Sequence, residues 1–395
     1  MDGATLEQVD VVIAGGGPVG LTLALGLAQQ GYQVTVLEKV EPKPGALNSF
    51  DGRVLALSEG SRLILQQLGV WTALLPHLTP IKHIHVSQQG YLGLTLIHAH
   101  EMNVAALGYS IRAEALGAVL WQAVRAQVNI DIRCPARLLG FVQNEETVCV
   151  DFEQQGQRAQ LQAKLILGAD GTDSQVRQSL NWPLVQKSYR AWAILAQVDT
   201  YEPHDHWAFE RFTSQGPVAL LPLSTHSHKL VYVAPEAQYE DLLAMSDTDF
   251  VAAFTRKMGA RFGGFHQLSA RVAYPLTETY VERVAEGRAV LLGNASHTQH
   301  PVAAQGLNLG LRDVASLLAG LQNHGLNDVG WLVQYERERQ QDHRQVMGLT
   351  DGLIRIFEHP SPLVGHLRGV AMMALQAMPG LKRRLARFSM RGAQA

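Results

Sequence analysis

The stretch VVIAGGGPVGLTLALGLAQQGYQVTVLEK, residues 11 to 39, constrains the fold more than any other part of the chain. Val11 to Ala14 is a continuous apolar run, as a parallel strand buried on both faces requires, and Pro18 to Gln30 has the length and apolar character of a helix. Gly15, Gly17 and Gly20 occupy the turn between them as G-x-G-x-x-G. In that pattern the first glycine permits the tight turn, the second lets a pyrophosphate reach the backbone, and the third lets helix and strand pack closely. The helix N-terminus adds N–H groups and positive potential. A second strand, Gln33 to Leu37, ends at Glu38, whose carboxylate is placed to hydrogen-bond an adenosine ribose. Strand, helix, strand and terminal acid in register predict dinucleotide binding rather than a turn made only for packing. The fingerprint alone does not distinguish NAD from FAD.

With 395 residues, 47% of them hydrophobic, the chain can bury a sizeable core, and its length suggests about two to three domains. A formal net charge of -2, with basic residues spread along most of the chain, gives no reason to expect nucleic acid as a partner. The opening MDGATLEQVD lacks the basic and apolar regions of a signal peptide, and no apolar run approaches the roughly 20 residues of a spanning helix. A cytoplasmic location is therefore expected. Cys134 and Cys149 lie in strand-like segments without C-x-x-C spacing, which suggests packing residues and neither a disulfide nor a zinc site.

Changes in periodicity organise the rest. After residue 75 the pattern turns to strands up to residue 100, then to a helix over Arg112 to Ala126. VNIDIRC, RLLGFVQ, TVCVDFE and LQAKLILGAD read as strands, expected to decorate a mostly parallel sheet. RAWAILAQVD, AFERFTS, VALLPLS and HKLVYVAP follow one another without helices, the mark of an antiparallel sheet and a second domain. From Gln305 the pattern is largely helical. Ligands should meet at the seam between the two domains.

Two more strand-turn units carry polar groups: LILGADGTDSQVR, residues 165 to 177, with Asp170, Ser174 and Arg177, and AVLLGNASHTQHPVAAQGLNLGLRD, residues 289 to 313. With GGGPVG at the start, their order and spacing resemble the single-component FAD-dependent aromatic hydroxylases, the para-hydroxybenzoate hydroxylase superfamily, over essentially the whole chain. FDGRVLALSEGSRLILQQLGVW, IHVSQQG, FERFTSQGPVALLPL and QGLNLGLRD are most similar to its ubiquinone-biosynthesis branch, in particular to the 2-polyprenyl-6-methoxyphenol hydroxylases. One departure is Gly293-Asn294 where the family usually has Gly-Asp; an asparagine still hydrogen-bonds a ribityl chain but carries no charge.

The resemblance implies an α/β fold: a Rossmann-like FAD-binding domain of the GR2 type (residues 1–75, 101–180 and 271–330), interrupted by an antiparallel-sheet substrate domain (76–100 and 181–270), with a helical C-terminal region (331–395). It implies one non-covalent FAD, NAD(P)H as a transient electron donor, and hydroxylation of a polyprenylated phenol by dioxygen through a flavin C4a-hydroperoxide. Glu38 would bind the adenosine ribose, Arg53 and Arg112 would approach the phosphates or the ribityl chain, and Asp170 and Asn294 would sit near the flavin. Gln305, Gly306, Leu307 and Asn308 would offer backbone N–H groups at a helix start whose dipole favours an anionic reduced flavin, and Pro301 would stiffen a dry pocket. Salt bridges from Arg53 to Asp51 or from Arg112 to Glu114 are the alternative use of those arginines.

No residue announces itself as the base for the phenol. His297 and His300 are candidates by location only, and packing or hydrogen bonding is the expected use of both. The pairs His83/His85, His98/His100, His204/His206 and His226/His228 would each put two imidazoles on one face if they lay in strands, but no cysteine or carboxylate set accompanies them and no metal is expected. Other readings remain: a hydroxylase of another ring position, a flavin reductase or oxidase, or a non-catalytic flavoprotein subunit of a biosynthetic assembly. The tail GHLRGVAMMALQAMPGLKRRLARFSMRGAQA, residues 365 to 395, carries Lys382, Arg383, Arg384, Arg387 and Arg391 among apolar residues with no acid, which suits peripheral contact with the inner face of a membrane, packing on the body, or docking to pathway partners.

Overall fold

A computed structural model describes residues 6–41, 54–299, 306–359 and 361–391. Its centre is a six-stranded sheet in the order Ala285–Glu286, Ala289–Leu291, Leu165–Gly168, Val11–Ala14, Val34–Leu37, Ile130–Arg133, parallel except for the first pair. VVIA, VTVL and LILG are buried at every position, which is why, Thr35 apart, they read as apolar runs and not as alternating ones. Val11–Ala14 pairs on one side with the strand that follows it and on the other with a strand over 150 residues away, so the chain reverses direction across the sheet at this strand. A crevice opens at the carboxyl ends of strands where such a reversal occurs. Here those ends lead into Gly15 and Ala169.

The strand-like run LQAKLILGAD is broken at Lys164. Gln157–Ala163, which alternates in burial, joins Val148–Gln154, Ala136–Gln143 and Glu7–Gln8 in a separate four-stranded sheet, whereas Leu165–Gly168 enters the central one. The antiparallel pairs thus form their own layer and do not decorate the parallel sheet. A third, three-stranded sheet orders Val54–Ser58, Gly108–Arg112 and Leu78–Ile81.

The large sheet has nine strands among the described residues, built on Val185–Thr200 with Ser227–Pro235, Val218–Ser224, Trp207–Phe212, His83–Gln88 and Leu94–His98 in order to one side. On its other side lies Val272–Tyr280, assigned from sequence to the dinucleotide-binding part but hydrogen-bonded here to Val185–Thr200. Helices Tyr239–Ala244 and Asp247–Met258, which the strand pattern did not suggest, cover one face: Phe250 and Phe254 meet Ile194, Leu220, Leu230 and Tyr232. On the opposite face Ala193, Val233 and Leu276 form a smaller cluster with partly exposed Leu195 and Val231.

Helices Gly306–His324 and Leu332–Glu358 are tied to the central sheet by one carboxylate. Asp313 Oδ2 accepts from the Gly293 backbone N–H at 2.9 Å, and Oδ1 accepts from Arg339 Nε at 2.8 Å and lies 2.9 Å from His343 Nε2. Arg339 Nη2 also donates to Asp342 Oδ2 at 2.8 Å, and Arg312 pairs with the same acid. The surrounding charges of Arg339 and His343 hold the Asp313 carboxyl far below the usual carboxylate range despite its complete burial. Removing the acid leaves buried Arg339 and part-buried Arg312 to share Asp342, so Asp313→Ala is expected to cost about 3–5 kcal/mol, read by urea unfolding of the purified protein.

Candidate flavin site

The glycine turn is built for contact at two positions and for emptiness at a third. Gly15 has φ +105°, and a Cβ there would lie 2.4 Å from the Ala169 carbonyl oxygen; a Cβ at Gly20 would lie 2.0 Å from the carbonyl oxygen of Gly15. Strand ends and helix therefore touch backbone to backbone. Gly17, by contrast, has φ -76° and nothing within 4 Å of where a Cβ would stand. It is the N-cap of helix Pro18–Gln29, no side chain caps that end, and Pro18 follows as the first helical residue. The space in front of Gly17 is thus open, amide-lined and on the positive side of a helix dipole.

Glu38 follows Val34–Leu37 and reaches across to the turn: its Oε2 accepts from the Gly16 N–H at 2.5 Å and its Oε1 from the Val40 N–H at 2.9 Å. On the other side Asp170 Oδ2 accepts from the N–H groups of Gln175 (2.7 Å) and Val176 (3.3 Å) at the start of the short helix Gln175–Ser179, whose N-cap is Ser174. Its Oδ1 is buried and has no hydrogen-bond partner among the described residues, and burial raises the carboxyl pKa against the pull of those hydrogen bonds. An orphaned buried acceptor beside an open amide cradle fits a ligand that brings both phosphate and donor groups.

Gly293–Ala295 forms a single 3-10 turn after the sheet, and Asn294 is exposed on it. Gly306, Leu307 and Asn308 open the helix Gly306–His324. The Asn308 side chain binds elsewhere: Oδ1 accepts from Ser58 N–H (2.8 Å) and Ser61 Oγ (2.7 Å), and Nδ2 donates to the Ala56 carbonyl (2.9 Å). Arg112 is exposed and its Nη2 donates to Gln197 Oε1 at 2.6 Å, bridging to the large sheet. Arg53, His300, Pro301 and Gln305 lie outside the described residues.

His297 is sealed at 0% exposure, bonded to Ser296 Oγ through Nδ1 and packed on His343 at 4.1 Å between ring centroids; burial keeps its pKa well below the ordinary value. An imidazole so enclosed has no path to a substrate. His297, Asp313 and His343 offer ligand atoms within 4.8 Å, yet the Arg339 guanidinium already neutralises that carboxylate. Of the H-x-H pairs only His83/His85 lies within one strand, where the two rings lie tilted against Trp207 and Phe209 of the neighbouring strand. Sequence reasoning missed Asp313 and its partners, because Arg339 and His343 are one turn apart on a helix that reads only as polar.

A sequence model of the family described as "FAD binding domain" matches residues 8–350. The chain belongs to that family. It is 32% identical over 393 residues to "Ubiquinone hydroxylase UbiL" of Rhodospirillum rubrum, covering 98% of this chain and 91% of the relative. It is 31% identical to "3-demethoxyubiquinol 3-hydroxylase" of Escherichia coli, covering 98% and 99%. Among solved structures it is similar to p-nitrophenol 4-monooxygenase PnpA from Pseudomonas putida, with a TM-score of 0.81 over 99% of this chain and 100% of that one at 17% identity, a likeness of fold. The cofactor of this protein is FAD and its activity that of a flavin-dependent monooxygenase. Gly17→Val is expected to leave the apoprotein's melting temperature unchanged while abolishing flavin retention, whereas Gly20→Ala lowers the melting temperature itself by forcing helix from strand; flavin absorbance per protein and thermal unfolding separate the two.

Proposed function

We propose that the protein hydroxylates a polyprenylated phenol of ubiquinone biosynthesis, 2-polyprenyl-6-methoxyphenol, using NAD(P)H and dioxygen. The observation that carries this reading is full-length similarity to relatives named as ubiquinone hydroxylases. The name of the Escherichia coli relative favours a second reading, hydroxylation at another ring position of the same pathway.

Bound FAD supplies the two-electron reduction and the activation of dioxygen that a closed-shell phenol cannot provide. In this reading the backbone at Gly15, Gly17 and Gly20 and the helix dipole behind them hold the pyrophosphate. Glu38 exchanges its Gly16 contact for the ribose hydroxyls. Asp170 Oδ1 takes a donor from the cofactor, Asn294 reaches the ribityl chain, and the start of helix Gly306–His324 presents the N–H groups of Gly306 and Leu307 to the pyrimidine end of the ring. The division into a dinucleotide-binding part and a substrate-facing part follows the six-stranded and nine-stranded sheets. Cells lacking the protein are expected to accumulate 2-polyprenyl-6-methoxyphenol, and heavy-isotope dioxygen to label the product ring; mass spectrometry reads both. Accumulation of a later intermediate transfers the assignment to the second reading, and an unlabelled product excludes monooxygenation.

Such a substrate partitions into bilayers, and the C-terminal helices suit a lipid surface. On Pro362–Ala377, Leu363, Leu367 and Val370 are 68%, 59% and 57% exposed, spaced as one helical stripe. On Pro379–Arg391, Ala386 and Met390 pack on Ala99, Met102 and Leu107, while Arg383, Arg384 and Arg387 stay exposed. Lys382, counted with the basic face from sequence, is instead turned inward, bonded to Glu101 Oε1 at 2.9 Å and the Leu96 carbonyl at 3.1 Å. No helix among the described residues is long and apolar enough to cross a membrane. The protein is expected to float with anionic vesicles at low salt and to lose that association when Arg383, Arg384 and Arg387 are changed to glutamate; flotation indifferent to those changes favours docking to pathway partners.

A further inference from the structure

Glu210 lies in the middle of strand Trp207–Phe212, opposite Ala219 on one side and Val86 on the other. Ala219 is opposite Val231, and Val231 opposite Leu195. Residues directly opposite each other share a face, so Glu210 is the one charged group in a row of apolar side chains. The next row on that face holds Gln197 and Lys229. Gln197 receives the Arg112 hydrogen bond, and Lys229 Nζ donates to the Val54 carbonyl at 2.6 Å. This face of the large sheet therefore looks onto strands Val54–Ser58 and Gly108–Arg112, which Asn308 binds to the start of helix Gly306–His324. The neighbours of Glu210 along the strand, Phe209 and Arg211, belong to the other face, where Arg211 donates to the Met258 carbonyl and Arg261 covers the Phe209 ring.

Glu210 makes no hydrogen bond or ion pair among the described residues. Charged groups on the surrounding elements are engaged elsewhere: Arg211 and Lys229 as above, and Asp351 of helix Leu332–Glu358 with Lys187 and Arg355. Half-buried Leu195, Leu221 and Val231 share this face of the sheet with it. A carboxylate kept in such a place without a partner is costly, and it is suited to a ligand that brings a hydroxyl into an otherwise apolar site.

We propose that Glu210 accepts the hydroxyl proton of the bound phenol during ring hydroxylation. This rests on the phenolic substrate proposed above. As the incoming oxygen atom bonds to the ring carbon, a ring electron pair forms the new C–O bond. The phenolic O–H bond breaks, its electron pair closes a carbonyl, and the proton passes to the Glu210 carboxylate. The oxygenated carbon then loses its C–H proton to water, which restores the aromatic ring, and Glu210 returns its proton to the oxygen as the carbonyl becomes a hydroxyl again. One oxygen atom of dioxygen enters the ring, the other leaves as water, and the two electrons come from the nicotinamide donor. Burial alone pushes the Glu210 carboxyl up to about 8, much nearer to a phenol at about 10 than an ordinary carboxylate; the ionised form, a growing share of the enzyme as pH rises towards 8, is the one that accepts the proton, and such matching makes the transfer efficient.

The test uses the oxidised, flavin-loaded enzyme, Glu210→Gln, and two probes: 2-allyl-6-methoxyphenol and its O-methyl ether, which cannot ionise. Titrations followed by the flavin difference spectrum should show the variant binding the phenol about tenfold more weakly but the ether as the wild type does, with hydroxylation slowed about 10²-fold or more. A structural readout accompanies them. The fold favours the protonated carboxyl, so the stability that Glu210 contributes is full below its ordinary pKa and is lost as pH rises through about 8. Glu210→Gln should accordingly melt above the wild type at pH 9, with the gap closing towards pH 5. A variant that binds phenol and ether as the wild type does, and hydroxylates at the wild-type rate, overturns the role of Glu210 while leaving the phenolic reading intact. A wild type that binds neither probe overturns both.

Discussion

Everything in the dinucleotide-binding part depends on three backbones meeting without side chains between them. At Gly15 the chain leaves the central sheet against Ala169, and at Gly20 the first helix settles on Gly15. A Cβ at either position would stand at less than 2.5 Å from a carbonyl oxygen, a separation that no rotamer relieves, because the obstacle is main chain. This closeness holds the N-terminus of Pro18–Gln29 at the crevice between the carboxyl ends of Val11–Ala14 and Leu165–Gly168. The anion-binding property follows from that placement and needs no charged side chain at the turn itself.

Polar groups do the corresponding work farther away. Asp313 binds the Gly293 turn to two helices, and Asn308 binds the start of the first of them to Ser58, Ser61 and Ala56. Both are buried and fully engaged, so both fix geometry more than they react. Asp170 and Glu210 differ in keeping oxygen atoms without partners among the described residues, one at the flavin cradle and one in the apolar row of the sheet. The contrast separates acids that position from acids that remain available to a ligand.

Much of this was legible in the chain. Periodicity located the buried strands VVIA, VTVL and LILG because burial on both faces leaves Thr35 as their one polar position, and the glycine spacing revealed the turn because only glycine satisfies its contacts. What escaped were features set by distant partners. The break at Lys164 separates two strands that read as one, and Val272–Tyr280 takes its place from pairing with Val185–Thr200, not from its own pattern. The inward turn of Lys382 depends on Glu101, some 280 residues earlier, and the isolation of Glu210 depends on which strands flank it. No local sequence pattern carries such information.

The strand order has a further consequence for how the molecule is made. Leu165–Gly168 is flanked by Val11–Ala14, made early, and Ala289–Leu291, made late, and all of the large sheet but its edge strand His297–Thr298 is assembled from the residues in between. During synthesis the N-terminal segment emerges long before the strand and helices that complete its sheet and close its core. The glycine turn must therefore wait, its apolar neighbours uncovered, until the ribosome has passed residue 291, and chaperone demand should peak over that interval of translation.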